Sequence, residues 1–210
     1  QDNVVYGSEA LFTGYITNND EINHLIRFNL GGDGWEMVTD PRLLGVSPGS
    51  TEEVEIKLIP LKNRPAGNYG VPITAISNDD ESIRALKQIN VNFLDYNEIL
   101  DVKIEFPSNF DPSSTNVAKI TIDNNADVEL KNLKIMLESK YFFGEKEAIN
   151  IESEGSKTFN LNLDFEPGYK EGIYNVDFNM LVNDKIVYEK QDQAKIAYVP
   201  LGSEIQSPES

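Results

Sequence analysis

The sequence predicts an all-β protein that folds into two consecutive antiparallel β-sandwich domains. Short runs of alternating apolar and polar residues fill the chain, turn-forming residues separate these runs, and the second half repeats the pattern of the first. Side chains along a strand point alternately to opposite faces of a sheet, so this alternation indicates strands with one buried face. A chain of 210 residues has room for two domains of ordinary size.

The internal repeat superimposes the two halves after a shift of about 106 residues. Residues 15–19 end an alternating run in the first half, and residues 121–125 end one at the same point of the second. Self-similarity of this kind indicates a duplicated module. The other matching positions are Trp35 with Tyr141, Gly49-Ser50 with Gly155-Ser156, and Gly67 and Tyr69 with Gly172 and Tyr174.

In the first half, each run ends at a turn built from Asn, Asp, Gly or Pro, which favour tight-turn backbone conformations. The segment from Glu81 to Gln88 has mild helical character and is interpreted as strand. The turns are Asn18 to Asp20, Gly31 to Gly34, Pro48-Gly49 and Asn78 to Asp80. The predicted strands cover residues 9–17, 22–30, 35–38, 42–47, 52–60, 69–77 and 83–94.

The second half follows the same order, and Asn183-Asp184 joins its last two strands. About seven short strands per 100 residues is typical of an immunoglobulin-like sandwich. We therefore predict two tandem immunoglobulin-like antiparallel β-sandwich domains at residues 1–96 and 97–199, with a polar tail at 200–210. The strands predicted for the second half cover residues 98–106, 116–123, 130–138, 147–152, 157–165, 173–182 and 185–198.

Composition excludes several classes of partner and site. The 35 acidic and 18 basic residues give a net charge of −17, which disfavours nucleic acid as a partner. The chain contains no cysteine, so it has neither disulfides nor thiolate sites. Apolar residues make up 40% of the chain, which is enough to form a folded core.

One part of the first half resembles a known family. The matching residues are Gly34-Trp35, Val46 to Ser50, Val54 to Pro60, Pro65 to Tyr69 and Ala75 to Ser77. They look like the bacterial and archaeal cell-adhesion-related and α-galactosidase-associated immunoglobulin-like domains, and the second half keeps part of that pattern. The resemblance implies an extracellular module found in tandem in surface-layer-type proteins or beside glycosidase domains, without catalytic residues of its own.

The residues themselves favour a protein that is not an enzyme. His24 is the only histidine, so one chain cannot form a site with several histidine ligands, and we expect a structural role for it. Acid pairs such as Glu52-Glu53 and Asp123 with Asp127 lie in or near turns, whereas acid–base chemistry needs two carboxyl groups held across a pocket. We interpret these acids as solvated charge and expect no catalytic residue.

No cofactor is expected, and calcium is the alternative that stays open. The turns at residues 78–81 and 123–127 supply the oxygen ligands that calcium takes. Asn and Asp are also ordinary turn residues, and neither turn has the loop of an EF-hand, so plain turns are the favoured interpretation.

Aromatic residues supply the first candidate contact. We expect the paired Trp35 and Tyr141 to be core or corner residues rather than sugar platforms, because the two halves share this position. In Tyr141-Phe142-Phe143, alternation buries only one face, so this triplet is the candidate contact for a partner. Tyr69 and Tyr174 each begin a strand, where a hydroxyl can clamp a corner to the backbone.

A missing strand supplies the second candidate contact. The second half begins with an alternating strand at residues 99–106, and the first half has no counterpart. We therefore expect an open sheet edge near Val4, Val5 and Tyr6, filled by an upstream segment or by a neighbour's strand. A tail held by another molecule would fit subunits joined head to tail, whereas a stalk within a longer surface protein is the plainer interpretation.

These observations predict a non-enzymatic, extracellular structural or adhesion protein of the cell surface, as a stalk, surface-layer or filament and pilus-type module. Its expected partners are proteins or further copies of itself, with membrane anchoring through a segment outside this chain. The alternative is a substrate-binding accessory region of a secreted glycoside hydrolase or protease. Exposed aromatic residues beside Asn or Asp in a groove would favour that alternative.

Overall fold

The computed structural model describes residues 2–107, 110, 115–166, 168 and 170–197. Within them the regular secondary structure is strand, apart from one short helix, α1 (Tyr96–Ile99). The strands before the helix are β1 (Asn3–Val4), β2 (Ala10–Thr17), β3 (His24–Leu30), β4 (Trp35–Asp40), β5 (Leu43–Val46), β6 (Thr51–Pro60), β7 (Gly67–Ser77) and β8 (Arg84–Phe93). Those after it are β9 (Leu100–Glu105), β10 (Asn116–Asn124), β11 (Leu130–Ser139), β12 (Phe142–Ile151), β13 (Ser156–Phe165), β14 (Gly172–Val182) and β15 (Lys185–Ile196).

Strands β1 to β8 form two sheets. The larger has the order β1-β8-β7-β3-β5 and the smaller the order β2-β6-β4. The later strands are hydrogen-bonded in the order β15-β14-β11-β12-β13-β10-β9. Alternate residues such as Val54, Ile56 and Leu58 of β6 are buried, as the one-sided pattern of the sequence predicts. The predicted all-β fold of immunoglobulin-like antiparallel sandwiches is confirmed.

The described residues group into two compact units. Unit 1 contains residues up to 100 together with the segments 124–131 and 150–154. Unit 2 contains the other described residues from 101 onward. The domain limits 1–96 and 97–199 stay a prediction, and the tail at 200–210 lies outside the described residues.

Two elements differ from the sequence-based expectation. A helical turn, α1, precedes β9, because the side chain of Asp95 accepts a hydrogen bond from the Asn97 backbone N–H and caps the helix start. Strand β12 begins at Phe142 rather than near residue 147, since Phe142 and Phe143 pair with Phe165 and Asp164 of β13. A run of exposed residues at 145–148 interrupts the alternation there.

Two buried asparagines close the same turn in the two halves of the sequence. The Nδ2 of Asn18 donates to the carbonyls of Ile22 and Val46, at 2.7 and 3.0 Å. The Nδ2 of Asn124 donates to the carbonyls of Val128 and Glu152, at 2.8 and 2.9 Å. In each turn the amide oxygen accepts from the backbone N–H two residues later. A single side chain therefore satisfies backbone groups from separate segments.

The predicted tyrosine corners are confirmed. The hydroxyl of Tyr69 donates to the Pro65 carbonyl at 2.8 Å, and that of Tyr174 donates to the Lys170 carbonyl at 3.1 Å. Each bond spans four residues and fixes the entry to β7 or β14. In both strands the tyrosine is therefore the third residue, and its hydroxyl bonds the carbonyl four residues earlier.

Tyr96 is expected to make the stability of unit 1 fall at high pH. Its side chain is 2% exposed, and its hydroxyl donates to the Tyr6 carbonyl at 2.8 Å. Burial raises the pKa of Tyr96 because tyrosinate would lose its hydration. The folded state therefore holds this proton more tightly, so the contribution is complete below about pH 10 and is lost above it. Urea unfolding between about pH 8 and pH 11 should show a smaller loss for Tyr96→Phe than for the wild type, and equal losses would contradict this.

Candidate protein-binding groove

The chain start lies in the core of unit 1. Strand β1 runs parallel to β8 and pairs Asn3 with Asn92 and Val4 with Phe93. Val4 and Val5 are 0% exposed and Tyr6 is 5% exposed. The side chains of Val4, Val5 and Tyr6 therefore fill the core, while β1 is an end strand of the larger sheet, so an open sheet edge at these residues stays a prediction.

A groove lies between strands β2 and β8 of unit 1. Strand β2 is an edge of the smaller sheet, and in the described chain β1 covers β8 only at Asn92 and Phe93. The rest of β8 therefore has β7 as a neighbour on one side and no described strand on the other. We call the cleft between these two strands the edge groove; it is lined by Phe12, Thr13, Gly14, Tyr15, Ile16, Phe28, Val54, Ile56, Ile73, Ala75, Ala85, Leu86, Lys87 and Ile89.

The edge groove is large and mainly apolar. It encloses about 500 Å³, and a neighbouring cavity of about 270 Å³ shares Ile16, Ala75 and Ala85 with it. Its floor comes from both sheets, since Ile56 belongs to the smaller sheet and Ile73 to the larger. The groove is thus a gap in the sandwich that reaches the core rather than a surface depression.

The inward-facing residues of β2 are less buried than the equivalent residues of β10. Phe12, Gly14 and Ile16 alternate along β2 and are only half-buried. In the repeat, these positions are equivalent to Ala118, Ile120 and Ile122 of the second half, which are all 0% exposed. Strand β10, which carries those residues, has β9 beside it, whereas no strand among the described residues pairs with β2 on that side. The open groove therefore corresponds to the place that β9 occupies in the second half.

Exposed apolar side chains concentrate around unit 1. Eight of the ten exposed large hydrophobic residues among those described lie before residue 100. Two of them, Tyr15 at 66% and Leu86 at 71% exposure, border the edge groove. An exposed apolar rim around an apolar cleft is typical of a surface that binds another molecule.

The candidate contact at Tyr141-Phe142-Phe143 is partly overturned. Phe142 is 1% exposed and packs against Phe106, Phe110 and Phe165 with ring centroids 6.3, 5.9 and 5.3 Å away. A side chain in the centre of this cluster cannot touch a partner, so its assignment as a contact is wrong. Tyr141 and Phe143 are half-buried, and a contact through them stays a prediction.

Trp35 and Tyr141 occupy corner positions in both halves. Trp35 is 7% exposed and meets the Tyr69 ring edge-on at 6.3 Å, beneath the guanidinium of Arg64 at 4.8 Å. Tyr141 meets the Tyr174 ring edge-on at 4.9 Å. The expected core or corner role is confirmed, and Trp35 offers no free face for stacking a sugar.

His24 is held structurally at the end of the adjoining cavity. It is 4% exposed, and its ring nitrogens lie 3.1 Å from the Ser77 hydroxyl and 2.9 Å from the Asp20 carboxylate. Both ring nitrogens are therefore engaged by neighbours within unit 1. These bonds tie β3 to the end of β7 and to the turn before β3.

The acidic turns bond internally. The Asp80 carboxylate accepts the backbone N–H of Ser82, and the hydrogen bonds from Ser82 lower the pKa of Asp80. Glu81 pairs with Arg27 at 2.7 Å. The described residues contain no group of three or more His, Asp and Glu side chains placed to hold a metal ion. Within the same residues no helix is long and apolar enough to cross a bilayer.

Sequence reasoning missed Phe12, Gly14, Ile16 and Lys87 as site residues. A signal was present in the repeat, because the second-half counterpart of β2 is β10, which has β9 beside it. The sequence-based expectation named Val4, Val5 and Tyr6 as the edge and not β2.

Comparison with known proteins gives only distant matches. No protein-family model and no curated protein matches the sequence. Among solved structures, a Porphyromonas gingivalis protein of unknown function is 13% identical, with 92% of this chain and 94% of that chain covered and a TM-score of 0.34. The CupB2 chaperone of Pseudomonas aeruginosa is 10% identical, with 93% and 97% covered and a TM-score of 0.29. The D0-D1 domain of intimin is 13% identical, with 90% and 93% covered and a TM-score of 0.28. Matches of this strength carry no information about what the chain binds.

Proposed function

We propose that this chain is a non-enzymatic structural or adhesion module of the cell surface, working as a stalk, surface-layer or pilus-type assembly component. It binds a protein partner through the edge groove. The observation that carries this proposal is the gap between β2 and β8, which leaves the core of unit 1 accessible.

The chemistry of the groove supports a polypeptide partner. Full burial of a Leu or Ile side chain contributes about 1.5–3 kcal/mol, so the exposed Leu86 and half-buried Ile16 and Ile89 offer binding energy that the isolated chain leaves unused. The edge strand β2 also offers backbone hydrogen-bonding groups beside these side chains. Apolar pockets next to free backbone groups fit an extended polypeptide better than a sugar or a small ion.

The surface location rests on the resemblance of residues 34–77 to adhesion-related domains. A net charge of −17 keeps copies of the chain apart in solution, so a specific contact must rely on local apolar and backbone interactions. Anchoring to a membrane through a segment outside this chain belongs to the same proposal. The alternative role as a carbohydrate-binding accessory region has no support from Trp35, whose ring is buried beneath Arg64.

Photo-cross-linking on intact cells tests this function. A photoreactive residue replacing Leu86 is expected to form a covalent adduct with a surface polypeptide, because Leu86 borders the groove and is 71% exposed. The matched control replaces Ile173, which is 67% exposed, belongs to unit 2 and is not among the residues that line the groove. We expect adducts from position 86 and few or none from position 173.

The result has clear contrary outcomes. Equal labelling from positions 86 and 173, or no surface labelling at all, would remove the groove as the working surface. An adduct whose added mass glycosidases remove, and which yields no peptides other than those of this chain, would favour the accessory, carbohydrate-binding role instead.

A further inference from the structure

The larger sheet of unit 1 is built from strands without acidic residues. In the described chain, none of β1, β3, β5, β7 and β8 contains an aspartate or a glutamate. The whole sequence has 35 of these residues, so their absence from five neighbouring strands sets this sheet apart. The cationic side chains that the same strands carry are Arg27, Arg84 and Lys87.

Strand pairing shows which of these residues face away from the core. Val71 and Ile73 of β7 are buried, so the residues that alternate with them point outward, and pairing extends this outward set across the sheet. Three exposed leucines belong to it, Leu25 at 39%, Leu43 at 46% and Leu86 at 71%. We call this surface the acid-free face; it consists of Asn3, Leu25, Arg27, Asn29, Leu43, Gly45, Asn68, Gly70, Pro72, Thr74, Ile76, Arg84, Leu86, Gln88, Asn90 and Asn92.

The outer side of the smaller sheet has the opposite charge. Val54, Ile56 and Leu58 of β6 are buried, so Glu53, Glu55 and the residues paired with them point outward. We call this surface the acidic face; it consists of Leu11, Thr13, Tyr15, Thr17, Glu36, Val38, Asp40, Thr51, Glu53, Glu55, Lys57 and Ile59. Its lysine lies 3.7 Å from Glu9 and 3.5 Å from Glu55, so that positive charge is already matched.

Two arginines stand in one row of the acid-free face. Ile76 pairs with Arg27 on one side and with Arg84 on the other, so the arginines lie two strands apart, about 10 Å. Arg27 bonds Glu81 at 2.7 Å, whereas Arg84 is exposed and makes no ion pair within the described part of the chain. The guanidinium of Arg84 can therefore pair with a carboxylate that approaches this face.

A second copy of the chain carries a surface that complements the acid-free face. The net charge of −17 opposes contact between copies, and this opposition is weakest where one of the two surfaces has no carboxylate. The acidic face also exposes apolar side chains, Tyr15 at 66% and Val38 at 45%, which can cover Leu25 and Leu43. Burial of these apolar groups provides affinity, and the opposite charges determine which faces meet.

We propose that the acid-free face of one copy docks on the acidic face of a second copy, with Arg84 paired to a carboxylate of that face. The two faces differ, so the contact is heterologous, and each added copy again offers a face of either kind. Copies therefore add in a row or a ring rather than through one shared surface. This inference goes beyond the proposed function, because it concerns the outer sides of the sheets and not the edge groove.

Sedimentation velocity of the whole protein tests this contact. The wild type should gain mass as its concentration rises to about 1 mM, where even a weak contact is populated. Arg84→Glu should weaken the association by about tenfold or more, because it brings like charges together. Glu53→Arg, at an exposed position of the acidic face, should weaken it by a similar factor although it lowers the net negative charge. The control Lys62→Glu changes the charge as Arg84→Glu does, at an exposed residue outside both faces, and should leave the association unchanged.

Mixing the two variants isolates a single contact. The Arg84→Glu protein keeps an intact acidic face, and the Glu53→Arg protein keeps an intact acid-free face. One wild-type contact can therefore form between them. An equimolar mixture should contain complexes with both variants, at concentrations where neither variant associates alone.

The contrary outcomes are distinct. A wild type that stays monomeric up to about 1 mM overturns the inference. Association of Glu53→Arg at wild-type strength or above removes the acidic face from the contact. Equal losses in Lys62→Glu and Arg84→Glu would show that net charge alone controls association, and a mixture that does not associate overturns the pairing of the two faces. A monomeric wild type together with adducts between position 86 and a different polypeptide would sink this inference and leave the proposed function standing.

Discussion

Replacing Phe142 with alanine is expected to lower the free energy of unfolding of unit 2 by about 3–5 kcal/mol, the usual cost of deleting a buried phenyl ring. The side chain is 1% exposed and contacts Phe106, Phe110 and Phe165. Its removal would leave a cavity that three other rings cannot fill without moving. Circular dichroism during denaturant unfolding should show a large loss of stability.

A built-in reporter separates the two units in this experiment. Trp35 is the only tryptophan and lies in unit 1, so its fluorescence reports whether unit 1 unfolds at the same denaturant concentration as unit 2 in Phe142→Ala. The control Leu86→Ala removes an exposed side chain and should change stability by no more than about 0.5 kcal/mol. If Phe142→Ala kept the stability of the wild type and lost only partner binding, Phe142 would be a contact residue after all, contrary to its burial.

Asn124→Ala is expected to cost about 3 kcal/mol of stability in unit 1. Asn124 is 2% exposed, and its loss strips partners from the Val128 and Glu152 carbonyls and the Ala126 N–H. A buried group left without its partner costs about 1–3 kcal/mol. Thermal or urea unfolding measures the change.

Two companion variants sharpen this second prediction. Asn18→Ala removes the equivalent bonds in the first turn and should cost a similar amount. Asn19→Ala removes an exposed neighbour in the same turn and should change stability by about 0.5 kcal/mol or less. Equal effects of Asn18→Ala and Asn19→Ala would show that turn propensity, rather than the buried amide, determines the stability of this turn.

Much of the fold could be predicted because its determinants are local. Alternation in residues 52–60 specifies which face of β6 is buried, and the turn residues place the strand ends. The shared corner tyrosines are also local, since each hydroxyl bonds a carbonyl four residues back. The short helix at Asp95 to Ile99 escaped prediction because a single capping carboxylate outweighed a weak strand pattern.

The candidate site could be predicted only in part. The comparison of the halves predicted an open edge in the first half, and the structure shows a groove between β2 and β8 that the sequence did not predict. The sequence places Phe142 in a run of three aromatic residues and does not show which of them is buried. The rings that bury Phe142 come from residues distant in the sequence, so only the tertiary structure shows its burial.

By itself, the sequence determined the class of fold and the lack of disulfides, because the periodicity, the turn residues and the composition are local properties of the sequence. Only the tertiary structure decided which strand edges stay open and which aromatic side chains are buried. Those properties depend on which strands become neighbours, and long-range pairing joins residues that no local pattern relates. In the described part of the chain, the edge groove lies where β2 has no strand beside it and β10 has β9.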